Sequence, residues 1–402
     1  MSLLRLAWQL AIARPGAALL GVLLLALGWA AVAFVLLVSE QVDQRVKRDL
    51  AGIDLVVGAK GSPMQIMLSG VFHLDVPTGN IPLATVETLR QQPLVAEVWP
   101  LSLGDSVKGW RLVGAEPAYL ALYGGQLAQG RLWQQPLETV LGAEVARATG
   151  LKVGDRFVGS HGLGEGGHEH GDHPYTVVGV LAPSGAVLDR LALTDLESVW
   201  KVHEDMHALD DSDRRAMVAD REVTIALVRY RSPLAAAMLP RWVNAQDGLQ
   251  SAAPALESAR LLRMVGAGRE VLQGFGALLL VSSLLSLFIV QMNAVRERQG
   301  DLALLRLMGA PPWRLAALVA WQAVISMTAA LALGLLAAHA ALAVLARWLA
   351  GQQSLPLDPS YWSPSEWWLW PVAVGLALLA SAWPAWRAMR TDVSTLLQSP
   401  RG

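Results

Sequence analysis

Six of the chain's eight histidines fall between residues 161 and 207. The densest run is His161-Gly-Leu-Gly-Glu-Gly-Gly-His168-Glu-His170-Gly-Asp-His173. Four imidazoles with Glu165, Glu169 and Asp172 on a glycine-rich stretch can wrap a borderline cation such as zinc, and nickel or copper would also be accepted. The same residues as a plain solvated loop would bind metal only incidentally. Downstream, His203-Glu-Asp-Met-His207 fits His-Glu-x-x-His. On a helix this puts two imidazoles one turn apart, with Glu204 placed to activate a zinc-bound water. A zinc protease also needs a third ligand. Asp210, Asp211 and Asp213 follow, but no glycine and histidine stand at the spacing such enzymes use. A membrane-anchored zinc metallohydrolase on His203, Glu204 and His207 is therefore an alternative reading. In another, His203 and His207 join His161, His168, His170 and His173 in one zinc site. His73, near Asp75, reads as a structural histidine.

Two absences narrow the chemistry. The chain has no cysteine, so disulfides and thiolate metal sites are excluded. It also has no Gly-x-x-x-x-Gly-Lys-Ser/Thr loop, and Gly58-Ala-Lys-Gly-Ser62 lacks that spacing. The chain cannot cradle ATP phosphates itself. A net charge of -1 gives no support to nucleic-acid binding.

A different chemistry, docking, is written in Arg296-Glu-Arg-Gln-Gly-Asp-Leu-Ala-Leu-Leu-Arg-Leu-Met-Gly-Ala310. The spacing predicts a charged amphipathic helix that closes on Gly309 and is stopped by Pro311 and Pro312. Leu304, Leu307 and Met308 share one face, while Arg298, Asp301 and Arg306 keep the helix wet.

The elements around these residues follow from hydropathy. Of the 402 residues 53% are hydrophobic and 16% charged, but the apolar ones concentrate in 16–38, 270–292, 315–349 and 367–386. Each run reaches the roughly 20 residues that cross a bilayer. The stretch 315–349 is too long for one span and too short for two, so it reads as one span with an outer extension carrying His339, Arg347 and Trp348. The first run lacks a small-x-small cleavage site and reads as a retained anchor. Arg5 and Arg14, the group Arg296, Arg298, Arg306 and Arg314, and the group Arg387, Arg390 and Arg401 flank the spans. The positive-inside rule puts all three clusters, and both termini, in the cytoplasm. Tryptophans 362, 367, 368 and 370 crowd one end of the last run, and 383 and 386 the other, as interfacial belts do.

The fold class is thus a membrane α-helical protein of four spans, with a mixed α+β domain between the first and second. The expected order is an amphipathic entry helix at 1–15, a first span at 16–38, and an outer domain at 39–268 with its histidine insert at 161–173. A second span at 269–292, a cytoplasmic loop at 293–314 and a third span with extension at 315–349 follow. An outer loop at 350–366, a last span at 367–386 and a cytoplasmic tail at 387–402 complete it. Within the outer domain the pattern predicts a polar helix Glu40–Leu50, strands Ile53–Val57, Val95–Leu101, Gly109–Gly114, Thr139–Gly142 and Val223–Tyr230, and short helices Pro82–Arg90, Ala143–Thr149 and Leu234–Asn244. Arg156–Val158 and Tyr175–Leu181 form a hairpin with a long tip, and Leu191–Leu209 a helix with an N-cap signal at Thr194-Asp195. Leu256–Arg269 is a helical stalk that runs into the second span.

Taken together, the four spans, the large outer domain and the Arg296–Ala310 segment resemble the permease subunits of the MacB/FtsX/LolC-type ABC transporter superfamily. Pro384-Ala-Trp-Arg-Ala-Met-Arg-Thr-Asp-Val-Ser-Thr-Leu-Leu397 is similar to the family's Pro-Ala-x-Arg-Ala-x-x-x-Asp-Pro-x-x-x-Leu ending, with Val393 where proline is usual. Leu3-Leu-Arg-Leu-Ala-Trp8 with Arg14-Pro15 resembles its entry helix, and Tyr175–Pro183 a strand of its outer domain. The resemblance covers essentially the whole chain.

It implies a mechanical permease with no catalytic residues of its own, in a bacterial inner membrane. A separate cytoplasmic ATPase would dock on Arg296, Glu297, Arg298, Asp301, Leu304, Leu305 and Gly309, and a second permease chain would complete a homodimer. A periplasmic or outer-membrane partner is compatible with it. The histidine insert turns the cargo question towards zinc, as substrate or signal. With an incidental insert, the chain would be an export permease for lipoproteins, lipids or small molecules.

Overall fold

The computed structural model describes residues 15–162, 173–207, 213, 217–218, 220–297, 299–350 and 357–390. Residues 1–14 of the expected entry helix, and the part of the C-terminal motif beyond Arg390, lie outside them. The chain divides into two compact units, Asp43–Met264 and a helical one from the remaining residues.

In the first unit, of the described strands, eleven form one mixed sheet. They are β1 (Leu55–Ala59), β3 (Val95–Val107), β4 (Trp110–Ala115), β5 (Leu127–Gly130), β6 (Glu138–Leu141), β7 (Arg156–Phe157), β8 (Ser160–His161), β9 (Tyr175–Leu181), β10 (Ala192–Thr194), β12 (Ile225–Tyr230) and β13 (Leu249–Ala252). The spatial order is β13-β1-β12-β3-β4-β10-β6-β9-β5, with β7 against β9 and β8 against β3. The β10–β4 and β6–β9 pairs are parallel and the other pairs of this sheet antiparallel. β2 (Ile81–Pro82) and β11 (Glu222–Val223) make a separate two-stranded ribbon.

Helix α1 (Pro15–Asp49) enters this unit, which also holds α2 (Pro63–Gly70), α3 (Leu83–Arg90), α4 (Ala118–Leu122), α5 (Ala143–Thr149), α6 (Leu196–His207) and α7 (Ala235–Asn244). One core packs Leu55, Val57, Val98, Ala226 and Val228 against Val86, Leu89, Leu239 and Val243. Strand β1 and the first four residues of β12 read as apolar runs because both faces are covered there. A second core gathers Leu112, Leu141, Val145, Phe157, Tyr175 and Val202.

Two expectations are corrected here. The helix expected from Leu191 begins only at Leu196, because Ala192–Thr194 pairs with both β4 and β6. Asp195 then receives the Glu197 amide at 2.8 Å, opening α6 one residue past the pairing. The polar helix Glu40–Leu50 is not separate, since α1 runs through it to Asp49 without a break. No glycine or proline falls between Gly28 and Asp49 to stop it.

The helical unit holds the rest of the chain. Helix α8 (Pro254–Glu297) is one continuous element, followed by α9 (Gln299–Leu307), α10 (Pro312–Ala350) and α11 (Pro364–Met389). Among the described residues, α1, α8, α10 and α11 are long and apolar enough to cross a membrane. Their shared core contains Leu25, Trp29, Leu37, Met327, Leu331, Leu335, Leu342 and Ala373. Trp29 donates its indole N–H to Met327 Sδ at 3.3 Å. Gly334 permits the close approach of α1 and α10, because a Cβ there would meet the Ala26 carbonyl oxygen at 2.8 Å. Leu272, Phe275, Leu278 and Leu285 of α8 point outward, which suits lipid.

Candidate functional site

The short helix between α8 and α10 is built from the residues singled out for docking. It buries Leu302 and Ala303 in a small core with Val295, Leu315, Leu318, Val319, Ala385 and Ala388. That leaves the opposite face free. Leu304, Leu307 and Met308 are 60%, 57% and 83% exposed. Arg296, Glu297 and Gly309 are exposed beside them, and Leu305 is half-buried. Arg298 and the Asp301 side chain lie outside the described residues. Gly309 ends the element at φ +91°, a left-handed conformation that costs glycine little. The amides of Met308, Gly309 and Ala310 reach back to the carbonyls of Leu304, Arg306 and Leu305. Pro312 then opens α10, so the segment is a rigid, capped element presenting three large apolar side chains.

The histidine insert is placed differently. His161 sits on β8, whose backbone pairs with β3 at Asp105, and half-buried His173 lies two residues before β9. Arg156–Phe157 pairs with Tyr175–Thr176, which makes the expected hairpin base. His168 and His170 lie outside the described residues. His203 and His207 stand on α6, one turn apart, and their side chains also lie outside. Among the described residues, no three histidine, aspartate or glutamate side chains come together as a metal site. Glu204 forms an ion pair with Arg221 at 3.0 Å and is only 13% exposed. Its carboxylate is therefore engaged by a cation in the same unit.

Other buried polar groups are unmarked by any motif. In the outer unit Asp49 and Arg190 approach to 3.8 Å with side chains 2% and 6% exposed. Asp49 also accepts the Val187 amide at 2.8 Å, and Arg48 donates to the Gly185 carbonyl at 2.8 Å. His73 is buried at φ +55° with Nε2 3.2 Å from the Tyr119 hydroxyl. Burial holds its pKa well below the ordinary imidazole range, and Arg111 adds to the effect. Burial also lowers Arg111 to about 10. Glu138 is held down at about 2, chiefly by its hydrogen bond with Arg131 and also by the amides of Gln134 and Gln135.

In the helical unit, Glu40 receives hydrogen bonds from Ser363 Oγ and Ser365 Oγ. Gln41 exchanges two bonds with the backbone of Asp358, at 2.8 and 3.1 Å. His339 turns Nδ1 to the Pro359 carbonyl at 2.9 Å and Nε2 to buried Glu366. This polar clasp fastens α1 and α10 to the start of α11.

A family model for the MacB-like periplasmic core domain matches residues 18–239, and one for the FtsX-like permease C-terminal domain matches residues 274–393. The chain belongs to the MacB/FtsX-type ABC permease family. The periplasmic region of MacB from Actinobacillus actinomycetemcomitans is 13% identical, covering 54% of this chain and 95% of its own length at a TM-score of 0.35. The extracellular domain of the ABC-type transporter YknZ from Gram-positive bacteria is 12% identical, covering 50% of this chain and 98% of its own at 0.30. No curated protein matches the chain. Permeases of this family work with a cytoplasmic ABC ATPase. The membership and the four apolar helices mark this permease as a multi-pass inner-membrane protein.

Proposed function

We propose that this permease passes the conformational change of its ATPase to the outer domain, and that the ATPase docks on the segment from Arg296 to Gly309. The observation that carries this reading is the outward face of Leu304, Leu307 and Met308 on a short capped helix between two long apolar ones. Three large apolar side chains on so small an element are a docking patch in need of a cover. The reading places both termini and this helix in the cytoplasm and the Asp43–Met264 unit outside, following the arginine flanks. Helices α1 and α8, each continuous between a span and the outer unit, are then the levers. Two copies of the permease acting together complete the assembly.

The test is co-purification of the ATPase with the full chain. Leu304→Glu combined with Leu307→Glu should abolish it without lowering the melting temperature, since both side chains are already exposed. An ATPase retained in full by that double variant would refute the assignment of this face.

Zinc handling by the histidine insert is the second reading, favoured by its concentration of imidazoles between β8 and β9. Calorimetry on the full chain tests it, against a variant with His161, His168, His170 and His173 changed to alanine. Submicromolar zinc binding lost in the variant supports a metal role; millimolar or absent binding leaves an export permease with an incidental loop.

A further inference from the structure

The outer unit contains a cavity of about 390 Å³ bounded by α6, β3 and the β11 ribbon. That volume lies in the range of sites that hold small organic molecules. Leu103, Val199 and Met217 give it an apolar wall, and Trp200 stands beside them.

Several polar groups of the wall are already committed. Trp200 donates its indole N–H to the Glu222 carbonyl at 2.7 Å. Thr224 Oγ1 bonds the amide and carbonyl of Leu103. The Arg221 guanidinium lies 4.6 Å from the Trp200 ring centroid and is paired with Glu204 at 3.0 Å and Glu197 at 3.8 Å. The one cation among the described lining residues is thus neutralised within the wall.

Other groups are uncommitted. Ser102 is 4% exposed, and its hydroxyl has no hydrogen-bond partner among the described residues. A buried hydroxyl without a partner is costly, and a ligand's polar atom can satisfy it. The exposed carboxylates of Asp220 and Glu222 also line the cavity and make no side-chain ion pair among the described residues. Apolar surface inside and two free negative charges at the edge select for one ligand chemistry. Among the described residues, no three acidic or histidine side chains come together there as a metal site.

We infer that this cavity is a binding site for an amphipathic organic cation, with its apolar body against Leu103, Val199 and Met217 and its charged group at Asp220 and Glu222. The site would stand whether or not an ATPase docks at Leu304, so the two readings fail separately.

The experiment is calorimetric titration of the full chain in lipid nanodiscs, with empty nanodiscs subtracted. The probes are benzyltriethylammonium and p-toluenesulfonate, aromatic ions of opposite charge. The cation should bind at least tenfold more tightly than the anion. Asp220→Asn with Glu222→Gln, nearly isosteric changes on exposed side chains, should remove that preference. Asp220→Lys with Glu222→Lys should reverse it, and anion binding by this variant would also show that the cavity remains formed. Equal uptake of both ions by the unmodified chain, or cation binding unchanged in the Asn/Gln variant, would overturn the inference.

Discussion

Arg221 donates through Nε to Oε1 of Glu204 at 3.0 Å, with its guanidinium over the ring of Trp200. This pair changes the meaning of His203-Glu-x-x-His207. A general base for a metal-bound water must be free to take a proton, and this carboxylate instead anchors α6 to the strand that follows Arg221. Arg221→Met should therefore destabilise the outer unit by about 1–3 kcal/mol, because it leaves a mostly buried carboxylate without its cation. Glu204→Gln keeps an acceptor for Nε and should cost less than about 1 kcal/mol. Denaturant unfolding of the full chain in detergent measures both. A larger loss for Glu204→Gln than for Arg221→Met would contradict this account.

His73 gives the outer unit an acid sensitivity whose sign is fixed. Its pKa in the folded chain lies well below the ordinary 6.5, so the unfolded chain binds more protons on acidification. Stability is full above about 6.5 and falls as the pH drops, by about 1.4 kcal/mol per pH unit, until the buried ring itself is charged. Glu138, held at about 2, adds a loss of the same sign at lower pH, as it passes from its ordinary value of 4.5 toward 2. His73→Asn removes the imidazole and still accepts the positive φ. Melting temperatures between pH 7.5 and 5.5 should fall less steeply for this variant than for the unmodified chain.

Asp49 and Arg190 are 141 positions apart in the chain and buried together at the end of α1. Removing one partner strands a charge. Asp49→Ala should cost about 3–5 kcal/mol, and Arg190→Met a similar amount. Changing both, as Asp49→Ala with Arg190→Met, should cost less than the sum of the single changes. A double-mutant cycle on unfolding free energies reads the coupling directly, and strict additivity would mean that the 3.8 Å approach has no energetic content.

What was legible in the sequence follows from the range of the forces involved. The four long helices announce themselves, since about 20 consecutive apolar residues have few other uses. Gly309-Ala-Pro-Pro marks a helix end within four residues, and the structure ends α9 there. Strand β12 shows as a run of apolar residues for the same local reason. Long-range pairings leave no such trace. β10 is three residues long and exists only because β4 and β6 flank it, so local pattern assigned it to the following helix. The Glu40–Ser363 and Asp49–Arg190 contacts join residues whose types alone are unremarkable. The outward face of α9 was readable as amphipathic spacing; that Leu302 and Ala303 form its buried side depended on where α10 and α11 pack.

Gly309 offers a test of the capped helix as a rigid element. A Cβ there would meet nothing within 4 Å, so any penalty of substitution comes from the backbone at φ +91° alone. Gly309→Ala should cost about 1 kcal/mol, while Gly309→Asn, better tolerated in the left-handed region, should cost less. Hydrogen exchange at the amides of Met308 to Ala310 should rise more in the alanine variant. Equal exchange in all three proteins would mean that the turn adapts freely.

The clasp of the helical unit makes the last prediction. His339 Nδ1 faces the Pro359 carbonyl at 2.9 Å, an oxygen that can only accept, so Nδ1 carries a hydrogen. Nε2 lies 3.3 and 3.4 Å from the two oxygens of Glu366. The contact thus sets a ring nitrogen against a buried carboxylate. Glu366 also caps α11 at the Ser363 amide, so its removal acts on both the helix start and the histidine. Glu366→Gln keeps an acceptor and a donor and should lower the melting temperature only slightly. Glu366→Leu and His339→Leu should each cost about 1–3 kcal/mol, and together less than their sum, because the same contact is lost in both. Thermal unfolding of the four proteins in one detergent measures the coupling, and costs that add fully would show that His339 and Glu366 act on α11 independently.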